Sequence, residues 1–205
     1  MYDLPVMLNV RDRRCVIVGG GSVATRRAAS LLESGAHVTV VAPRVNESLA
    51  AMAVACMRRR YRSSDLEGVF LVVVATDDPA VNAAAAADAA TAGVLVNRSD
   101  DPGTGDVTIS AHGRHGPLTL SVHTTGASAA AAGLIRRELS AALDEDWIRL
   151  LILVAPYRAR IRDAVPAGEA RRDRFRRMVG PEAMATLKQE GDLALQAFCQ
   201  QLCEA

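Results

Sequence analysis

Three short stretches of this 205-residue chain carry residues whose types and spacing suit chemistry. The first is Gly19-x-Gly21-x-x-Ala24, with Ser22 and Val23 inside it. A first glycine permits a tight turn, a second lets a pyrophosphate approach the backbone, and a small third residue lets the next helix pack close to its strand. The unpaired N–H groups and positive end of that helix then favour phosphate. The competing reading is a glycine-rich turn that serves packing alone. The second stretch is Thr76-Asp77-Asp78, and the third is Asn97-Arg98-Ser99-Asp100-Asp101, each directly after an apolar run. A carboxylate held beside a nicotinamide takes a proton as a hydride leaves the same substrate. Asp77 and Asp78 stand ahead of Pro79 and read first as helix caps. Asp100 and Asp101 precede Pro102, so turn formation competes with catalysis there.

The elements that must position these groups follow from the apolar pattern. Residues 14–18 (RCVIV), 37–42 (HVTVVA), 69–75 (VFLVVVA) and 94–96 read as strands, the third without alternation and so covered on both faces. Helices are expected over 22–33, over 45–57 from an Asn46 cap, and over 79–92, with proline in its first turn and Gly93 closing it. This β-α-β-α rhythm predicts an α/β fold with a parallel, doubly wound, Rossmann-type sheet. In such sheets ligands bind outside the carboxyl ends of the strands, where all three stretches fall. After residue 106 the rhythm changes. Strands 107–111 and 118–122 read as a hairpin joined by HGRHGP, and helices are expected over 129–143, 145–163, 169–179 and 182–203. The division expected is 1–106 as a dinucleotide-binding domain, 107–143 as a small β/helix dimerisation region, and 144–205 as a helical C-terminal domain. The hairpin and the 129–143 helix have no core of their own, hence the expectation that they bury against a second subunit.

Composition narrows the classes. Of 24 basic residues 23 are arginine, against 23 acids, leaving a formal charge of +1, which argues against a general nucleic-acid binder. No apolar run approaches the roughly 20 residues that span a bilayer, and the N-terminus does not read as a signal peptide, so a cytoplasmic protein is expected. The 4 cysteines form no CxxC pair and read as thiols in a reducing compartment. Near-neutrality is cancellation: residues 63–107, which hold Asp100, carry 8 acids and 1 base, whereas 134–177 carry 11 bases and 7 acids. Aromatics make up only 3% of the chain, so a flat ligand would be held by a charged rim more than by stacking. One piece of a dinucleotide site is missing, since the second strand ends in Ala42-Pro43-Arg44 where an acid usually binds the adenosine ribose. Arg44 suits a 2′-phosphate or is simply solvated, and these residues alone leave NAD and NADP open.

The ordered set LP near the start, VGGGxVAxRR, VTVVAP, ATDDxxxN, N-x-x-D-x-P and a hydroxyl- and glycine-rich turn before a helix resembles the precorrin-2 dehydrogenase / sirohydrochlorin ferrochelatase family, the N-terminal module of siroheme synthases. The likeness runs over about residues 1–143 and rests on order and spacing, not on any one motif. It implies NAD-dependent oxidation of precorrin-2 to sirohydrochlorin, with Fe²⁺ as a substrate metal for insertion in some members, in a homodimer with sites near the interface. Gly19, Gly21, Ser22, Val23 and Ala24 match the family's dinucleotide loop. Pro43 and Arg44 match contacts past the second strand, where the family lacks the acid yet uses NAD; Thr76 and Asn97 complete the cofactor set. Asp100 matches the key carboxylate, a general base and metal handler, and Ser128 a serine near the tetrapyrrole. The turn departs from the family's STGG-x-SP, reading His123-Thr124-Thr125-Gly126-Ala127-Ser128-Ala129, which makes His123 a weak candidate for Fe²⁺. His112 and His115, flanking the hairpin turn, are expected in water. A tetrapyrrole with a carboxylate rim calls for arginine, and Arg114, Arg136 and Arg137 stand nearest the turn. The methyltransferase domain fused in some relatives is not expected within these 205 residues. The competing functions are a non-catalytic NAD(H)-sensing regulatory module, as in ion-transport systems, and an oxidoreductase for another polycarboxylate.

Overall fold

The computed structural model describes residues 4–204, which form two compact units, one ending at Ile109 and the other beginning at Ser110. In the first unit, strands β1 (Arg14–Val18), β2 (His37–Val41), β3 (Ala55–Met57), β4 (Leu71–Val74) and β5 (Leu95–Arg98) make a sheet of order β3-β2-β1-β4-β5. Every pairing in it is parallel. Helices α1 (Ser22–Glu33), α2 (Glu47–Ala50) and α3 (Pro79–Ala92) connect the strands. All four β4 residues are buried, as an unalternating valine-rich run requires when both faces are covered. One apolar cluster joins Ile17, Val38, Val40 and Val73 to Ala24, Ala28 and Leu31 of α1. The other joins Val16, Val72, Val74 and Val96 to Ala85 and Ala89 of α3. Alanine is the helix residue at both contacts, which lets the helices sit close to the sheet.

The helix expected over 45–57 is a single turn. Asn46 caps it through a bond from the Leu49 N–H at 2.8 Å, but the chain then turns and Ala55–Met57 pairs with β2. Only Cys56 of these three is half-buried, so the outermost strand carries almost no apolar alternation by which to be read. The strand expected over 107–111 is also corrected. Val107 and Ile109 pack on the first unit's core, and the Val107 N–H bonds the Val96 carbonyl at 3.1 Å.

In the second unit, β6 (Ala111–His115) and β7 (Leu118–Val122) form an antiparallel hairpin with His115 opposite Leu118. The connection is therefore Gly116-Pro117 alone, with Gly116 at φ 56°. His112 and His115 lie in the strand, half-buried, with His112 Nδ1 3.0 Å from the Ser110 carbonyl and His115 Nε2 3.0 Å from Ser140 Oγ. Five helices follow: α4 (Ala129–Ala141), α5 (Glu145–Ala164), α6 (Glu169–Arg177), α7 (Pro181–Glu190) and α8 (Asp192–Glu204). The helix expected over 182–203 is two, broken at Gly191 with φ 90°. Leu150, Val154, Ile161, Leu187, Leu195 and Cys199 make this unit's core. Among the described residues no helix is long and apolar enough to cross a membrane.

Candidate functional site

The turn between β1 and α1 is built by close approach. Val18 pairs with Val41 on one side and Val74 on the other, and the Ala75 N–H bonds the Val18 carbonyl at 2.8 Å. Gly19, at φ 134°, is pressed so near the end of β4 that a Cβ there would lie 2.2 Å from the Ala75 carbonyl oxygen. Gly20 is equally confined, its hypothetical Cβ falling 1.9 Å from the Arg44 carbonyl oxygen. Spacing rules assign this middle position no role, yet here it seats the loop after β2 against the glycine turn. Gly21 is different, because a Cβ there meets nothing within 4 Å. Its missing side chain leaves open space. Asn46 pins the turn, its N–H donating to the Gly20 carbonyl at 3.0 Å and its side-chain amide to Thr25 Oγ1 at 3.0 Å.

A cleft of about 760 Å³ opens over this turn. Gly19, Gly21, Ser22, Val23, Pro43, Arg44 and Thr76 of the expected cofactor set line it, together with Gly20, Arg60, Tyr61, Asp77 and Asp78. Ala24 and Asn97 do not. Ala24 is fully buried under α1 against the sheet, the packing role its small size suits. Asn97 is buried at the end of β5, where its amide donates to the Val107 carbonyl at 2.7 Å while its Oδ1 has no hydrogen-bond partner. The N-terminus of α1 carries neither a side-chain cap nor an acidic residue in its first turn. Its N–H groups and dipole are thus available to an anion in the cleft. By contrast Asp78 caps α3, accepting from the N–H groups of Ala80 and Val81, and is committed to that task.

At the end of β5, Arg98 grips Asp100 through Nε at 3.2 Å and through a second nitrogen at 2.7 Å. These bonds above all, with a lesser contribution from the Asn82 side chain, hold the Asp100 carboxyl down at about 2 despite partial burial. The buried Asn82 also ties Thr76, its amide donating to the Thr76 carbonyl at 3.0 Å and its Oδ1 accepting from Thr76 Oγ1 at 2.6 Å. Neither Asn82 nor Arg98 has a role that spacing alone assigns, since their task is to hold another residue. Asp101 makes no side-chain bond as a cap, though its carbonyl accepts from Thr104.

The remaining expected residues belong to the second unit. Ser128 caps α4, accepting from the Ala131 N–H at 3.1 Å, and Thr124 closes the turn by donating to the Ser128 carbonyl at 3.0 Å. Arg136 lies over β6, where a Cβ on Gly113 would meet it at 3.2 Å. Arg114, Arg137 and His123 are exposed. Among the described residues no three histidine, cysteine, aspartate or glutamate side chains converge as metal ligands. Burial pushes the Cys15 and Cys199 thiols up to about 11, so both are core residues and not nucleophiles.

A family model described as "Putative NAD(P)-binding" matches residues 6–111. The chain is 36% identical to a siroheme synthase of Methylococcus capsulatus over 193 residues, covering 92% of this chain and 41% of that protein. It is 34% identical to the siroheme synthase of Nitrosococcus oceani over 176 residues, 84% of this chain and 38% of that one. It thus spans about two fifths of the length of these curated relatives. A solved structure described as SirC, precorrin-2 dehydrogenase, superposes with a TM-score of 0.76 at 29% identity and covers 100% of both chains. A turn confined at Gly19 and Gly20 and open at Gly21, an uncapped helix end and a matching family model lead to one conclusion: the chain belongs to this NAD(P)-binding family and shares sequence with siroheme synthases and fold with precorrin-2 dehydrogenase.

Proposed function

We propose that the chain is an NAD-dependent precorrin-2 dehydrogenase of siroheme synthesis. The observation that carries this reading is a dinucleotide-shaped cleft over the glycine turn with the ion-paired carboxylate of Asp100 following β5, the strand next to β4 whose end lines that cleft. Likeness to precorrin-2 dehydrogenase over the full length of both chains supports it. NAD⁺, when bound, would supply the hydride acceptor for oxidation of precorrin-2 to sirohydrochlorin, with NADH and one H⁺ as the other products. Gly19, Gly21, Ser22, Val23, Pro43, Arg44 and Thr76 hold the cofactor, and Asp100 handles the charge.

At about 2 a carboxyl is a poor proton acceptor but a permanent anion. It stabilises the positive charge that grows on the substrate as hydride leaves. It becomes a working base when Arg98 turns to a substrate carboxylate and releases it, which returns its pKa toward about 4. Arg114, Arg136 and Arg137 are the proposed grips for other carboxylates, and Ser128 contacts the tetrapyrrole in addition to capping α4. Insertion of Fe²⁺ as a substrate metal is a separable second activity, drawn by the same anion, with His123 the further candidate. The reading favours a homodimer, supported by the exposed Leu134, Ile135 and Leu139 on α4, and a cytoplasmic location, where four free cysteines persist.

The test is Asp100→Asn. Oxidation of precorrin-2 should fall by about a hundredfold or more with NAD binding retained, as loss of a proton-handling group implies. Arg98→Leu should move the acid limb of the kcat/KM profile upward, because Asp100 then titrates nearer its ordinary value. Full activity in Asp100→Asn would remove the residue from the chemistry.

A further inference from the structure

Helix α1 turns Ala24, Ala28 and Leu31 into the core of the first unit. The spacing i, i+3, i+4, i+7 of such a face runs through 24, 27, 28 and 31, so Arg27 holds a position where an apolar side chain is expected. It is half-buried, and its Nη1 donates to the Ile109 carbonyl at 3.2 Å. The rest of its fork of N–H donors has no partner among the described residues, and no carboxylate there pairs with it. Asp106, the acid nearest to Ile109 in sequence, instead accepts from the Val96 N–H at 3.1 Å. Burial first, and then the adjacent Arg26, push the Arg27 pKa below its ordinary value. The surroundings therefore raise the cost of this charge and supply no anion to offset it, although a charge withdrawn from water is ordinarily paired.

The dinucleotide does not supply that anion. The cleft is lined by Ser22 and Val23 of α1 and by neither Arg26 nor Arg27. What surrounds Arg27 is the chain that follows Asp100, folded back over β5. Gly105 lies so close that a Cβ there would be 2.9 Å from the Val96 carbonyl oxygen, the Val107 N–H donates to that same carbonyl, and Ile109 then meets Arg27. One folded-back segment thus runs from Asp100 to the unmatched guanidinium. A tetrapyrrole with a carboxylate rim has anions well away from its reacting carbon, and the planar fork of an arginine matches a carboxylate.

We propose that Arg27, assisted by Arg26, is an anion site outside the dinucleotide cleft that grips a carboxylate of the tetrapyrrole substrate. The inference rests on the precorrin-2 reading and adds a residue that fixes substrate affinity. Steady-state oxidation of precorrin-2 by the full chain at saturating NAD⁺ tests it. Arg27→Gln keeps a donor for the Ile109 carbonyl and removes the charge. Its KM for precorrin-2 should rise by about tenfold, the loss of one charge-assisted hydrogen bond, with kcat and calorimetric NAD⁺ affinity little changed. Arg27→Lys, which keeps the charge without the fork, should raise KM by only about threefold. Added salt should raise the wild-type KM more than that of Arg27→Gln. An unmoved KM in a folded Arg27→Gln overturns the site, and so does a rise matched by loss of NAD⁺ affinity, which marks a purely structural arginine. Should Arg27→Gln lose its native circular dichroism, Arg27→Lys decides, and an unmoved KM in it overturns the site. Wild type that forms no NADH from precorrin-2 overturns the reading on which the site rests.

Discussion

Gly19, Gly20 and Gly21 look alike in the sequence and are constrained in three ways. Gly19 is held by a left-handed φ and a carbonyl at 2.2 Å, Gly20 by a carbonyl at 1.9 Å, and Gly21 by nothing within the protein. Gly20→Ala must therefore push apart two backbone segments, and a loss of about 3 kcal/mol in denaturant unfolding is expected. Gly21→Ala should cost less than about 1 kcal/mol as a poorer N-cap, yet weaken NAD binding because its methyl enters the space the pyrophosphate needs. Equal destabilisation by the two would contradict this division of roles. The motif spacing locates the turn, but confinement of the middle glycine depends on the loop after β2, a partner distant in sequence. Asp100 shows the same limit. Its place before Asp101-Pro102 is legible, while the Arg98 grip depends on how the chain turns at the end of β5. That ion pair stabilises the fold above the unfolded carboxyl's pKa near 4 and is lost as pH falls through about 2.

Helices α2, α3, α4 and α5 each begin with a side chain that accepts a backbone N–H, whereas α1, α6 and α7 begin at glycines without one, and of these three α1 opens under the cleft through Ser22 and Val23. The cap on α4 makes Ser128 a residue with two readings, and they predict different things. Ser128→Ala should lower stability by about 1 kcal/mol, and Ser128→Asp should restore it because aspartate also caps. If Ser128 touches the tetrapyrrole, KM for precorrin-2 rises in both variants; if KM follows stability alone, the residue is only a cap. Strongly apolar or strongly punctuated elements were legible: β1, β4 and α3 fall where pattern and Pro79 require. Elements whose identity comes from a neighbour were not. Strand β3 exists because β2 offers an edge, and the 182–203 helix breaks at Gly191, whose φ of 90° no helical periodicity reveals.

At the scale of the whole molecule, the chain is an NAD(P)-binding unit followed by a hairpin and five helices with a separate core. The class was legible because a parallel sheet writes continuous apolar strands between helices. The two units meet between Ile109 and Ser110, and the hairpin begins later than its apolar residues suggest, since Val107 and Ile109 complete the first core. Exposed Leu134, Ile135 and Leu139 leave an apolar face on α4, so sedimentation should give a dimer at micromolar concentration, and Leu134→Glu with Leu139→Glu a monomer. A wild-type monomer would leave that face without the proposed partner. The most direct test of the central claim is anaerobic: incubate the chain with NAD⁺ and precorrin-2 and follow NADH and sirohydrochlorin together. The two should appear in equal amounts, and neither should form without the protein. Dinucleotide binding with no NADH formed above the protein-free rate would contradict the dehydrogenase and favour a sensor of NAD(H).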